Sequence, residues 1–264
     1  MRRPIVLLTD FGLKDHYVGV LKGVIESLAP GTPVIDLSHE IAPQNILQAA
    51  CLLEISYSYF PQKSIFVCVV DPGVGTSRKA IAVKTSRYYF VAPDNGLLSL
   101  ALQHEKILSL RHIENIRFFL TSSPSSTFHG RDIFSAVGAH LANRDSEKIF
   151  NRLGRTLKSF RRVHSPALTK EAKTIRGEII YFDHFGNAIT NIRRSDAPES
   201  FWKKGKVYVN HKNIGPLCET YGKGKAGLKA LWSSAGQLEI AFPNGSAKER
   251  GALKETQKVS VFFQ

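Results

Sequence analysis

Short apolar runs and helix-spaced apolar residues alternate along the first part of this chain, and then the helical spacing stops. Ile5–Leu8 reads as a strand, and Val18, Leu21, Ile25 and Leu28 then repeat at helical spacing until Pro30-Gly31. Pro33–Leu37 reads as a second strand, and Ile46, Ala49, Ala50 and Leu53 mark a helix with Pro43 near its start. Ser64–Val70 is a third strand. Ala80–Lys84 and Tyr88–Ala92, parted by a Thr-Ser-Arg turn, read as a hairpin. Gly96–Leu102 and Asp132–Leu141 read as helices. Strand–helix–strand order implies a mostly parallel sheet.

The pattern changes after about Arg155. Arg161–Thr174 carries Ser-Pro and charges with no period and reads as a linker. Beyond it lie only short strands, at Glu178–Phe182, Ile189–Ile192, Lys206–Val209, Ala226–Leu231, Gln237–Phe242 and Lys258–Phe263. Glycine-bearing turns separate most of them, which is the pattern of a small barrel. The expected architecture is therefore α/β: an N-terminal, mostly parallel α/β sandwich domain over residues 1–160, a linker over 161–174, and a C-terminal small β-barrel domain over 175–264.

A chain of 264 residues with 43% apolar content can bury a sizeable core. No apolar run approaches the roughly 20 residues of a membrane span, so no membrane role is expected. The opening MRRPIVLLTDFG superficially resembles a signal peptide, but its apolar run is only IVLL, and a cytoplasmic location is expected. The three cysteines are odd in number and widely spaced. Cys51 and Cys68 lie in apolar runs and read as buried free thiols. The net charge of +14 raises the question of nucleic acid. The basic residues are dispersed, however, with the densest clusters at Lys158–Arg162, Lys203–Lys206 and Lys223–Lys229. A basic soluble surface that steers anionic partners is the favoured reading, and nucleic acid is not expected as a partner.

Two segments carry the chemistry. VVDPGVGTSRK (Val69–Lys79) places Asp71 at a strand's end, then a Pro-Gly-Val-Gly turn, then Arg78. Open α/β sheets bind ligands at that end of their strands. FHGRD (Phe128–Asp132) adds His129, with Asp132 as a candidate helix N-cap. Asp71, Arg78 and His129 together make an acid–cation–imidazole set able to hold and deprotonate a water without a metal. Asp10 in LLTDFG follows the first strand, where a carboxylate accepts hydrogen bonds from ribose hydroxyls or closes a turn. Asp94 and Asn95 in APDNG read as a tight turn or, because they end another strand of the same sheet, as substrate-binding residues that line the mouth. His39 in DLSHE, after the second strand, is a lone histidine of the same kind as His129. In the second half, Asp183-His184-Phe185-Gly186-Asn187 combines an acid, an aromatic and an amide. Ser233-Ser234-Ala235-Gly236 and Asn244-Gly245-Ser246 are hydroxyl-rich turns. GxGxxG, Walker A, GxSxG, HExxH and CxxC are all absent, and no metal-ligand spacing stands out.

TDFG, DLSHEI, VVDPGVGTSR, VAPDNG, FHGRD, FDHFGNAITNI and SSAGQLEIA occur in this order along nearly the whole chain. In this it resembles the S-adenosyl-L-methionine (SAM) hydroxide adenosyltransferase family, relatives of the SAM-dependent fluorinase and chlorinase. The resemblance implies an α/β domain followed by a β-barrel. It also implies a homotrimer that binds SAM between the first domain of one subunit and the second domain of the next. It implies that Asp10 contacts the ribose hydroxyls, that Asp183 pairs with the methionine ammonium and that Ser234 lies near its carboxylate. Phe185 and Asn187 would meet the adenine, with the Phe242–Asn244 backbone completing that pocket. SAM would be the substrate, with no cofactor. The halogenases carry an aromatic where Asp71 stands and a small residue where His129 stands, so the retained pair points to hydrolysis of SAM to adenosine and L-methionine. Gln44 stands where the fluorinase has tryptophan, and Ala235 where it has arginine. The competing classes are a SAM-dependent halogenase and a non-enzymatic binder of adenosine ligands or nucleic acid.

Overall fold

The computed structural model describes residues 3–222 and 227–263. The chain divides into two compact units, Met1–His164 and Ser165–Gln264.

In the first unit β1 (Ile5–Thr9), β2 (Val34–Ser38), β3 (Ile65–Val69), β4 (Ala80–Thr85), β5 (Tyr89–Pro93) and β6 (Ile107–His112) form one sheet in the order β2-β1-β3-β5-β4-β6. The β1–β2, β1–β3 and β3–β5 pairs are parallel, whereas β4 runs antiparallel to both β5 and β6. All residues of β1, β3 and β5 are buried, as expected of apolar strands covered on both faces. Their side chains alternate between two cores. Ile5, Leu7, Ile65, Val67 and Val69 face one, and Val6, Leu8, Phe66 and Cys68 face the other.

Helices cover both faces. α1 (Tyr17–Leu28) buries Val18, Leu21, Val24 and Ile25, and Gly31, at φ +71°, lets the chain turn back after it. α2 (Ile46–Ser56) starts at Asn45, whose side chain accepts from the Gln48 backbone N–H at 2.9 Å. α3 is the short Ser99–Leu102, tighter than the expected span from Gly96. The helix expected from Asp132 instead begins as a π-helical turn, Gly130–Ser135, that runs into α4 (Ala136–Ala142). α5 (Ser146–Arg152) closes this layer. Ile25 of α1 and Ala139 and Leu141 of α4 pack on the first core, and Ala49 and Leu53 of α2 with Ala101 of α3 pack on the second.

The second unit contains β7 (Thr169–Glu171), β8 (Thr174–Phe182), β9 (Ala188–Arg193), α6 (Glu199–Trp202), β10 (Lys206–Val209), β11 (Lys212–Pro216), β12 (Lys229–Trp232), β13 (Gln237–Ala241), α7 (Ala247–Arg250) and β14 (Lys258–Phe262). The strands pair antiparallel in the order β11-β10-β14-β8-β9-β13-β12, with β7 added beside β8. An isolated bridge from Leu217 to Ala230 nearly closes the sheet into a barrel. Ile175, Ile179, Val207, Leu238, Ile240, Val259 and Val261 fill it. Residues 223–226, including Ala226 of one expected strand and part of the Lys223–Lys229 cluster, lie outside the described residues. Cys51 and Cys68 are buried and not joined in a disulfide. Among the described residues, no helix is long and apolar enough to cross a membrane.

Candidate active site

Thr9 of β1 and Val69 of β3 are in register on adjacent parallel strands. Asp10 and Asp71 therefore leave the sheet from neighbouring carboxyl ends. This is the position at which open α/β sheets present their ligand groups. A cavity of about 410 Å³ opens there, lined by Asp10, Gln44, Asp71, Val74, Phe128 and His129 among others.

Two tight turns bring Arg78 back onto Asp71. Val74 N–H donates to the Asp71 carbonyl at 3.2 Å, Thr76 N–H to the Gly73 carbonyl at 3.2 Å, and the Thr76 hydroxyl to that same carbonyl at 2.7 Å. Arg78 Nε then donates to both Asp71 carboxylate oxygens at 2.9 Å, and Nη2 also reaches Oδ2. The two side chains are each only 6% exposed, so the charges are paired away from solvent. Phe134 stacks under the guanidinium, 5.2 Å from its centre. A carboxylate offers about four lone-pair positions, so this fork still leaves Asp71 with acceptor capacity.

Arg78 also sets the state of His129. Its Nη2 lies 2.6 Å from His129 Nδ1. A guanidinium only donates, so Nδ1 must accept and the ring proton resides on Nε2. Burial first, and then the Arg78 charge, hold His129 below the ordinary imidazole value, although Asp71 and Asp132 oppose them. His129 is thus a neutral ring whose Nε2–H is its remaining donor.

Asp10 accepts from the Gln44 backbone N–H at 2.8 Å. Burial raises its pKa, the backbone hydrogen bonds oppose this, and the negative charge of Asp71 adds to the rise. Gln44 itself sits at φ +66°. An aromatic wall stands beside these groups. Phe11, Tyr17 and Phe128 meet pairwise at 5.2–5.8 Å between ring centres. All three line the cavity. Sequence reasoning did not assign them a role, although Phe11 and Phe128 lie inside TDFG and FHGRD.

Asp132 does not cap a helix as its position suggested. It lies inside the π-helical turn, where its carboxylate pairs with Arg131 at 2.6 Å and accepts from Ser125 N–H at 2.7 Å. These contacts pin the segment leading into His129. Such π-helical turns often shape functional sites.

Asp94 and Asn95 do not line the cavity. Asp94 Oδ1 accepts from Arg161 N–H at 2.7 Å, and Asn95 Nδ2 donates to the Val70 carbonyl at 2.7 Å. Asn95 therefore braces the backbone immediately before Asp71.

In the second unit, Asp183 closes its own turn. Its Oδ1 accepts from Phe185 N–H at 2.9 Å and Asn187 N–H at 2.8 Å, and its Oδ2 accepts from Asn187 Nδ2 at 3.0 Å. Asn187 is buried, whereas Phe185 is 73% exposed. The Phe242–Ser246 turn packs on this one, since Lys248 N–H donates to the Gly186 carbonyl at 2.9 Å. A Cβ on Gly186 would lie 2.2 Å from the Ser246 hydroxyl. Phe242 is half-buried, Asn244 is exposed at φ +58°, and Ser234 is exposed in a separate turn after β12. Glu239 on β13 was not singled out from the sequence. Its carboxyl is pushed up by burial, with Asp183 adding to the rise, and accepts from the Tyr221 hydroxyl at 2.8 Å. Tyr221 is in turn pushed up to about 12, mainly by burial. Among the described residues, no group of three or more His, Cys, Asp or Glu side chains is arranged to hold a metal ion.

Comparison with known proteins adds independent observations. The SAM hydroxide adenosyltransferase N-terminal domain matches residues 5–150, and the corresponding C-terminal domain matches residues 177–260. A Thermus thermophilus protein named (R)-S-adenosyl-L-methionine hydrolase is 37% identical, over 98% of this chain and 99% of its own length. The crystal structure of an uncharacterized conserved protein from Thermotoga maritima superposes with a TM-score of 0.88 at 38% identity, covering 98% of this chain and 99% of that one. A fluorinase from an Actinoplanes species is more distant, at 25% identity over 73% of this chain and 72% of its own.

Proposed function

The chain belongs to the SAM hydroxide adenosyltransferase family, and from that membership we propose that it hydrolyses SAM to adenosine and L-methionine. The observation that carries the reading to this chain's own residues is the Asp71–Arg78–His129 set at the cavity.

The sulfonium is already an activated leaving group, because it departs as the neutral thioether of methionine. The difficulty lies in the nucleophile, since free water has a pKa of about 15.7. In the proposed step the water oxygen forms a bond to ribose C5′ while the C5′–S bond breaks and its electron pair goes to sulfur. The water proton passes to Asp71. His129 Nε2–H donates to the attacking oxygen and holds it in line. Arg78 cannot take a proton, so it fixes Asp71 and the His129 tautomer instead. The negative charge of the Asp71 carboxylate and the positive charge on sulfur disappear together, which a dry site favours over bulk water. Asp10 would hold the ribose hydroxyls against the aromatic wall. Asp183 would meet the methionine ammonium, with Ser234 near the carboxylate. Phe185, Asn187, Phe242 and Asn244 would serve the adenine. The proposal includes a homotrimer acting in the cytoplasm, supported by the family resemblance.

Incubating the chain with SAM and separating the products should yield adenosine and methionine in equal amounts. The same yield is expected in the presence of EDTA, because no leaving anion needs a metal. Chloride-dependent 5′-chloro-5′-deoxyadenosine would instead show a halogenase. Binding without consumption of SAM would show a non-enzymatic protein.

The pH dependence follows from His129. Its neutral form is required, and its pKa is depressed. Turnover is therefore complete above the ordinary imidazole value of about 6.5 and is lost only as pH falls through the lower value in the folded protein. A kcat/KM profile with its acidic midpoint above about 6.5 would contradict this role.

A further inference from the structure

We propose that His39 is a positioning residue that fixes Asp10 through Thr9 and the Phe11 backbone; this rests on the reading of Asp10 as a substrate-binding group. His39 follows β2 and is 3% exposed, far from the fate of a loop histidine. Its Nδ1 lies 2.8 Å from the Thr9 hydroxyl. Its Nε2 lies 3.1 Å from Asp36 Oδ1, off the aligned hydrogen-bond direction but in direct contact with the carboxylate. Lys22 of α1 holds the other Asp36 oxygen at 2.6 Å.

These contacts give the chain a direction. A carboxylate facing Nε2 favours the ring proton there, which leaves Nδ1 of the singly protonated ring as an acceptor. The Thr9 hydroxyl therefore donates to Nδ1, and its oxygen is free to accept. It does so from Phe11 N–H at 3.2 Å. The His39 carbonyl accepts from Gly12 N–H at 2.8 Å. Thr9, Phe11 and Gly12 are thereby held from one histidine, and Asp10 lies between them. The Asp10 carboxylate completes the arrangement by accepting from Gln44 N–H. Lys22, Asp36, His39 and Thr9 support the carboxylate without lining the cavity.

The test uses Thr9→Val, which keeps the buried shape and removes only the hydroxyl, together with His39→Leu and His39→Asn. Thr9→Val and His39→Leu should each raise KM for SAM about tenfold, the scale of one hydrogen bond displaced from its partner, with a smaller change in kcat. His39→Asn, whose side-chain oxygen can accept from Thr9, should recover most of the loss. In an Asp10→Ala background, Thr9→Val should add nothing further, because the group it positions is gone. Independent, multiplying effects of Thr9→Val and Asp10→Ala would overturn the positioning role, as would an unchanged KM in Thr9→Val. If the unaltered protein fails to consume SAM, the functional reading falls first and this inference falls with it.

Discussion

Asp71→Asn is expected to lower kcat for SAM hydrolysis by about 10²–10⁴-fold, the range that a positioned general base supplies. Binding of SAM should change by less than tenfold, or about 1.4 kcal/mol. Asparagine is the right substitution because Asp71 and Arg78 are both buried and joined by a two-pronged contact. Its amide oxygen still accepts from the guanidinium, whereas alanine would leave an unpaired buried cation, which typically costs about 3–5 kcal/mol. Asp71→Ala therefore confounds lost chemistry with lost folding. Single-turnover kinetics alongside calorimetric SAM binding separates the two for Asp71→Asn. A variant that binds SAM and turns over at more than about a tenth of the normal rate would remove Asp71 from the proton-accepting role.

The second large effect is expected at Gly75. This residue sits at φ +76° in the turn between Asp71 and Arg78, and a Cβ there would lie 2.3 Å from the Ser126 backbone carbonyl oxygen. Ser126 belongs to the segment that leads into His129. Gly75→Ala must therefore strain its own backbone, at about 1–3 kcal/mol, and push the Asp71–Arg78 turn and the segment leading into His129 apart. A displacement near 1 Å costs about 10² in rate. Gly31→Ala is the matched control. Gly31 has φ +71°, but a Cβ there meets nothing within 4 Å. It should lower the melting temperature while leaving kcat intact. Equal effects of the two substitutions on kcat would show that the close approach at Ser126 does not matter for turnover.

Much of the scaffold could be read locally. Apolar runs such as Ile65–Val69 declare buried parallel strands because both faces of the sheet are covered. Asp10 and Asp71 immediately follow such runs, so their place at the strand ends could be read too. Features that depend on distant partners could not. Strand β6 escaped because it is an edge strand whose residues are half-exposed and do not alternate cleanly. The π-helical turn escaped because Asp132 is anchored by Ser125 and Arg131 rather than by a helix start. Asp94 reads from its strand end as a substrate-binding residue at the mouth, but its carboxylate accepts from Arg161 N–H, 67 positions away. His39 could be singled out as a histidine after a strand, yet its link to Asp10 runs through a hydroxyl thirty positions earlier in the chain. Local pattern reports the period and the turn, whereas hydrogen-bond partners are set by packing.

The central claim is that water attacks ribose C5′ in this cavity. Running the reaction in water enriched in ¹⁸O and analysing both products by mass spectrometry tests it directly. Heavy oxygen is expected in the 5′-hydroxyl of adenosine and none in methionine. Adenosine that carries only the ordinary isotope would contradict it.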